Sequence, residues 1–186
     1  MRKGNLFVVS GPSGAGKSTI CKLVRERLGL HLSVSATTRA PRAGEVQGAA
    51  YYFMDEEEFL RRKNRGEFLE TALVHGHYYG TLLSEVEKYL DAGEDVVLEI
   101  DVQGGLQVKE KYPRAKMVFF KAPSEKELEE RLLGRGADSG ETIRLRLENA
   151  LRELTYEDKY ETTVVNHTVE QACADLIAII RNEKES

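Results

Sequence analysis

Residues 11–19 read Gly11-Pro12-Ser13-Gly14-Ala15-Gly16-Lys17-Ser18-Thr19 and fit the pattern G-x-x-x-x-G-K-[ST] with no forced position. That spacing suits capture of a nucleoside triphosphate. Glycines let the backbone curl until several N–H groups aim at one phosphate. Lys17 brings a mobile positive charge to the outer phosphates, and Ser18 offers a hydroxyl to a magnesium ion. A helix should open here, its positive end also favouring an anion. The competing reading is a Gly/Ser turn that merely joins two core elements. The flanks decide against it. Leu6-Phe7-Val8-Val9-Ser10 predicts a short buried strand, while Ile20, Leu23, Val24 and Leu28 fall at helical spacing and Gly29 ends the run. Strand, glycine loop and helix form the context in which this pattern holds a phosphate.

A second group could also hold an anion. In Ser33-Val34-Ser35-Ala36-Thr37-Thr38-Arg39-Ala40-Pro41-Arg42-Ala43-Gly44-Glu45, two arginines stand three apart around a proline. Guanidinium forks suit paired contacts to phosphate oxygens, and Tyr51 and Tyr79 could add phenolic hydroxyls. The spacing alone fits two surface arginines in a polar loop equally well. Histidines suggest no chemistry. His75 and His77 flank Gly76 in an expected turn without a partner at metal-ligand spacing, so exposure is expected for both. His31 and His167 flank strands and read as structural.

The elements that must position these groups alternate between strand and helix, which predicts an α/β fold on a parallel sheet. Strands are expected at Leu6 to Ser10, Val96 to Ile100, Met117 to Phe120 and Val164-Val165, because near-continuous apolar runs mark central parallel strands. Helices are expected from Leu83 to Leu90, from Ser124 with a capping box to Glu127, along the face Ile143, Leu147, Leu151 and Leu154, and from Val169 to Ile180. Two stretches interrupt the alternation. From Ser33 to Gly80 the chain mixes short strands with one helix, which opens at Asp55 with Glu58 in a capping box, ends in Arg61, Arg62, Lys63 and Arg65, and stops at Gly66. That charge order agrees with the helix dipole, so the run reads as a solvated helix end. Gly134-Arg135-Gly136-Ala137-Asp138-Ser139-Gly140 joins two helices and reads as a mobile lid.

The chain's 186 residues suit one domain. A net charge of −4 argues against a general nucleic-acid binder. No apolar run reaches the ~18 residues of a membrane span, and Met1-Arg2-Lys3 before a short strand is no secretory signal. Cys21 and Cys173 lie on apolar helical stripes as buried thiols. A cytoplasmic setting is the expectation.

Taken in order, these segments resemble the guanylate kinase family from about Asn5 to Asn166. The match comprises Gly11 to Thr19, Ser33 to Arg42, Gly44-Glu45-Val46, Tyr51-Tyr52-Phe53, Glu67-Phe68-Leu69-Glu70, Tyr78-Tyr79-Gly80-Thr81, Leu98-Glu99-Ile100-Asp101-Val102-Gln103-Gly104 and Arg131-Leu132-Leu133-Gly134-Arg135-Gly136. The resemblance implies a P-loop NTPase-type three-layer fold with a central parallel sheet. It implies a core at about 1–33, 83–125 and 150–186, a GMP-binding insert at about 34–82 and a helical lid at about 126–149. It implies transfer of the γ-phosphoryl of ATP to GMP, and to dGMP, with Mg²⁺. The phosphate loop, Arg131 and Asn166 would then serve ATP. Arg39, Arg42, Tyr51 and Tyr79 would hold the phosphate of GMP, and Ser35, Glu70 and Thr81 its base, with the two hydroxyls available to guanine O6. Asp101 would end a strand between the two nucleotides, near the metal with Ser18, while Glu99 would help on the guanosine side. Lys17, Arg135, Arg146 and Asp101 would serve transfer. His167 departs from the acidic residue common after the asparagine, and Thr81 replaces the commoner serine.

Two alternatives stay open at this level. Family-like modules that have lost catalysis act as scaffolds, and other phosphate-loop kinases act on phosphorylated sugars. The intact loop argues against the first, and Glu70 with two hydroxyl residues argues against the second.

Overall fold

A computed structural model describes residues 3–31, 33–74, 76–134 and 140–185. Its centre is a four-stranded sheet made of β1 (Leu6–Ser10), β6 (Val96–Glu99), β7 (Lys116–Lys121) and β8 (Thr162–Val165), in the order β6-β1-β7-β8. Every pairing in it is parallel, with Leu6 beside Val96 and Phe7 beside Lys116.

Strand β1 shows why the fold has three layers. All five of its residues are buried, and its side chains alternate between the two faces. Phe7 and Val9 join a core with Ile20, Cys21 and Val24 of α1 (Lys17–Leu28) and Ala172, Cys173, Leu176 and Ile180 of α7 (Val169–Glu185). Leu6 and Val8 join the opposite core with Val86 and Leu90 of α3 (Leu83–Asp91) and Val102 and Val108 of α4 (Val102–Lys111). Cys21 and Cys173 are both buried and free, and burial pushes the Cys21 thiol up to about 12. Among the described residues no helix is long and apolar enough to cross a membrane.

Residues between α1 and α3 build a second sheet from β2 (Ser35–Thr37), β3 (Tyr52–Phe53), β4 (Phe68–Val74) and β5 (His77–Leu82), in the order β3-β2-β5-β4. Helix α2 (Glu56–Asn64) covers it, and Phe59 stacks on Phe68 with ring centroids 4.4 Å apart. The remaining pair, α5 (Glu125–Leu133) and α6 (Gly140–Leu154), packs through Leu128, Leu132 and Ala150.

Three expectations change in detail. The capping boxes close on one side only. Asp55 accepts from the Glu58 N–H at 2.8 Å, but the Glu58 carboxylate turns to Arg61 and Arg62. Ser124 accepts from the Glu127 N–H at 3.2 Å, while Glu127 pairs with Arg131. A full guanidinium charge one turn away outcompetes a neutral N–H for the carboxylate. Strand β6 ends at Glu99, so Asp101 ends no strand; it is the N-cap of α4, accepting from the Gly104 N–H at 2.7 Å. The expected lid residues 135–139, and His75, lie outside the described residues.

Phe59 is the largest buried side chain that α2 lends to the second sheet. Phe59→Ala is expected to cost about 3–5 kcal/mol of local stability. Hydrogen exchange should show the amides of β4 and β5 losing protection before those of β1. Equal loss in β1 would mean that the second sheet does not open separately.

Candidate active site

The phosphate loop runs from the end of β1 into α1 and lies against β7. A Cβ on Gly11, whose φ is +144°, would come within 2.0 Å of the Phe120 carbonyl oxygen, so only glycine fits there. Gly16 is the N-cap of α1 and Lys17 its first residue. The Lys17 ammonium donates to the Gly11 and Pro12 carbonyls at 2.5 and 2.8 Å. Ser18 donates to Glu99 Oε1 at 2.5 Å. Ser13, Ser18, Glu99, Asp101 and Glu153 open onto one cleft with the loop. Glu153, on α6, accepts from the Ser13 N–H, and its partial burial raises its pKa, against the pull of Lys17.

The second sheet presents a row of polar side chains. Register places Ser35 opposite Thr81, and Thr81 opposite Glu70. Residues directly opposite share a sheet face, so three strands contribute to one line. Glu70 is 7% exposed and Thr81 1% exposed. The Thr81 hydroxyl donates to Glu70 Oε1 at 2.8 Å. Burial pushes the Glu70 carboxyl up, with the Asp101 charge adding to the rise and Thr81 opposing it.

Two residues along β5, on the same face, Tyr79 begins a cationic cluster. Its ring meets Tyr51 edge-on at 6.1 Å, and the Arg39 guanidinium lies 5.4 Å from the Tyr51 centroid. Arg39 donates to Glu45 Oε1 at 2.9 Å, and the Arg42 N–H donates to Glu45 Oε2 at 2.7 Å. Glu45 thus holds the guanidinium of Arg39 and the backbone of Arg42 together.

Helix α4 brings the two groups together. Gln107 accepts from the Thr71 N–H at 3.0 Å and donates to the Thr71 carbonyl at 3.1 Å, while Lys111 donates to the Phe68 carbonyl at 2.8 Å. At the helix's first turn the carboxylates of Glu70 and Asp101 converge. A Cβ on Gly104 would lie 3.1 Å from Glu70 Oε2 and 3.3 Å from Asp101 Oδ1. Asp101, which lines the cleft of the glycine loop, thus meets the buried Glu70 carboxylate at the first turn of α4.

The guanylate kinase family model matches residues 3–183. The chain belongs to the guanylate kinase family. It is 60% identical to a guanylate kinase of Fusobacterium nucleatum over 182 residues, covering 98% of both chains. It is 50% identical to that of Thermotoga maritima, covering 98% of this chain and 88% of the relative. The crystal structure of guanylate kinase from Anaplasma phagocytophilum is similar in fold, with a TM-score of 0.75 at 33% identity over 100% of this chain and 89% of that one.

Within this guanylate kinase fold, Ser35, Glu70, Thr81 and Tyr79 share one sheet face, and Arg39 and Tyr51 adjoin it. Arg42 is exposed at its rim. Asp101 lines the phosphate cleft and touches the Glu70 side. Arg131 and Asn166 meet beneath the loop, where Arg131 Nη2 donates to the Asn166 carbonyl at 2.9 Å. Arg146 is exposed on α6, and Arg135 lies outside the described residues. Glu99, expected beside guanosine, accepts from Ser18 here, because β6 pairs with β1 and so ends beside the loop. The Thr81 hydroxyl, expected to serve guanine O6, donates to Glu70. Glu45 and Glu153 were missed. An acidic residue six positions after Arg39 hints at the first. The second shows only as lying seven residues, about two turns, after Arg146 on one helix face.

A carboxyl with a raised folded-state pKa binds its proton more readily in the folded than in the unfolded chain. Its ionised form therefore lowers stability as pH rises from the ordinary glutamate range through the folded value. Glu70→Gln is expected to raise the Tm of the ligand-free protein by a few degrees near pH 7. By calorimetry the gain should vanish near about pH 4, where both forms are largely uncharged. A gain that is constant with pH would mean that ionisation of Glu70 costs nothing.

Proposed function

We propose that this chain is an ATP:GMP phosphotransferase, moving the γ-phosphoryl of ATP to GMP to give ADP and GDP. The observation that carries this is the row Ser35, Thr81 and Glu70, ending in a buried carboxylate beside Asp101, which lines the cleft of the phosphate loop. Guanine offers two adjacent donors, N1–H and the 2-amino group, which one carboxylate accepts together. Adenine offers an acceptor at N1 and lacks the amine, leaving Glu70 without either base donor in a buried site. Such a mismatch can discriminate by roughly 10⁴.

On this reading the core comprises about 1–33, 83–125 and 150–186, the GMP-binding insert about 34–82 and the lid about 126–149. Arg39, Arg42, Tyr51 and Tyr79 hold the acceptor phosphate once it displaces Glu45. Lys17 leaves the Gly11 and Pro12 carbonyls for the outer phosphates of ATP. Ser18, Glu99 and Asp101 are oxygen donors around one cleft, which fits a hard cation. These residues would hold Mg²⁺ together with ATP, and the ion would offset phosphate charge. Among the described residues no group of three or more His, Cys, Asp or Glu could hold a metal by itself, so the phosphates complete the set. Phosphoryl transfer needs alignment and charge compensation more than covalent work by the protein. Asp101 would act between the nucleotides, and Arg146 and Arg135, the latter outside the described residues, would compensate charge on the moving group. Free nucleotides in the cytoplasm are the substrates, with no nucleic acid or membrane partner.

ADP release with GMP, AMP, UMP and ribose 5-phosphate offered in turn tests the reading, with GMP preferred by orders of magnitude. Glu70→Gln replaces one acceptor with a donor. It should lower kcat/KM for GMP roughly tenfold to a few hundredfold, a charge-assisted hydrogen bond contributing about 1.5–3 kcal/mol, and lower the GMP-to-AMP ratio. An unchanged ratio would remove guanine recognition from Glu70. On the donor side, Glu153→Gln keeps an acceptor for the Ser13 N–H and deletes a negative charge facing the triphosphate. ATP binding measured by calorimetry should tighten roughly threefold to tenfold, the scale of one modest charge interaction. Weaker binding would mean that the charge organises the loop.

A further inference from the structure

Asn166 follows β8 and is 4% exposed. Its backbone is fixed on both sides. The N–H donates to the Lys121 carbonyl at 2.8 Å, and the carbonyl accepts from Arg131 Nη2 at 2.9 Å. From this anchored position the side-chain Nδ2 donates to the Ala15 carbonyl at 2.9 Å. The bond joins the last strand of the sheet to the phosphate loop across 151 positions of sequence. The contact is close enough to dictate the next residue, since a Cβ on Gly16 would lie 2.4 Å from Asn166 Nδ2.

In a trans peptide the C=O and N–H point in opposite directions. The Ala15 carbonyl, held down toward Asn166, therefore turns the Gly16 N–H the other way, toward the face where Lys17 and Ser18 open onto the cleft. Backbone N–H groups of this loop are its anion-binding atoms. The same peptide sets the φ of +86° at Gly16, the N-cap that starts α1. One side-chain amide thus fixes both a donor of the cradle and the start of the helix whose positive end faces it.

We infer that Asn166 is a positioning residue for the phosphate loop, acting on the donor's phosphates through the Ala15–Gly16 peptide. This rests on the reading that the loop holds a triphosphate. It departs from the family expectation that Asn166 serves the adenine ring. The two atoms of the amide separate the roles. Nδ2 is committed to Ala15, and only Oδ1, buried without a partner among the described residues, is left for a base. A residue that reads only adenine would matter to ATP alone, whereas one that shapes the loop matters to every ligand carrying the phosphates.

The test is calorimetric binding of ATP, GTP and inorganic tripolyphosphate, each with Mg²⁺, to the full chain and to Asn166→Ala and Asn166→Asp. GMP serves as the control. Losing one neutral hydrogen bond should weaken tripolyphosphate and both triphosphates by a similar factor, roughly threefold to tenfold, with GMP affinity unchanged. Asn166→Asp keeps shape and the Oδ1 acceptor but loses the donor. It should weaken tripolyphosphate at least as much as alanine does, and it stands in if the alanine variant does not fold. Weakening of ATP alone would overturn the inference in favour of base recognition. Parent-like tripolyphosphate binding in the Asp variant, or an equal loss of GMP affinity, would also overturn it. A parent protein that binds neither ATP nor tripolyphosphate would overturn the donor-site reading itself, and this inference with it.

Discussion

The grip of helix α4 on strand β4 is the contact on which the rest of the arrangement depends. Gln107 satisfies both backbone groups of Thr71, and Lys111 takes the Phe68 carbonyl. β4 is an edge strand of the second sheet, and its unpaired backbone would otherwise stay open to other chains. Because side chains alternate along a strand, a slip of one residue in this contact would turn Glu70 to the opposite face. The two side-chain bonds of Gln107 are therefore what bring a carboxylate of one sheet to the helix that starts at the edge of the other. Gly104 and the Asp101 cap sit at that meeting point.

The polar groups of the site are paired with one another. Lys17 rests on loop carbonyls, Ser18 on Glu99, Glu153 on the Ser13 N–H, Arg39 on Glu45 and Thr81 on Glu70. Such pairing keeps costly charges partnered. A ligand that takes these groups must exchange partners with them, so its net affinity is a difference between contacts rather than their sum. Glu70 is the exception in degree. It is nearly buried, with the Thr81 hydroxyl and backbone N–H for partners, and burial still pushes its carboxyl up.

How much of this was legible in the chain itself differs by element. Strand β1, the phosphate loop and α1 could be read residue by residue, because their pattern is local. Glycines mark the curled backbone, the apolar run is continuous, and the helical period is strict. The parallel sheet followed from alternating strands and helices, and the buried thiols from their stripes. The Arg39–Arg42 loop did not decide itself. Two arginines three apart look the same on any surface, and only the place of Tyr51 and Tyr79 beside Arg39 makes a cluster.

What the sequence determined, then, was the set of local conformations: where the backbone curls, where it is extended, and which groups are present to bind phosphate. The tertiary structure alone decided which of those groups face one another. Glu99 went to Ser18 because β6 lies beside β1, and Asp101 became a helix cap because β6 ends two residues before it. Ser35, Thr81 and Glu70 aligned because three strands share a register. Asn166 reached Ala15 because the last strand of the sheet ends beneath its first loop. Such pairings join residues up to 151 positions apart. They depend on strand order and register, which no local spacing of residue types encodes.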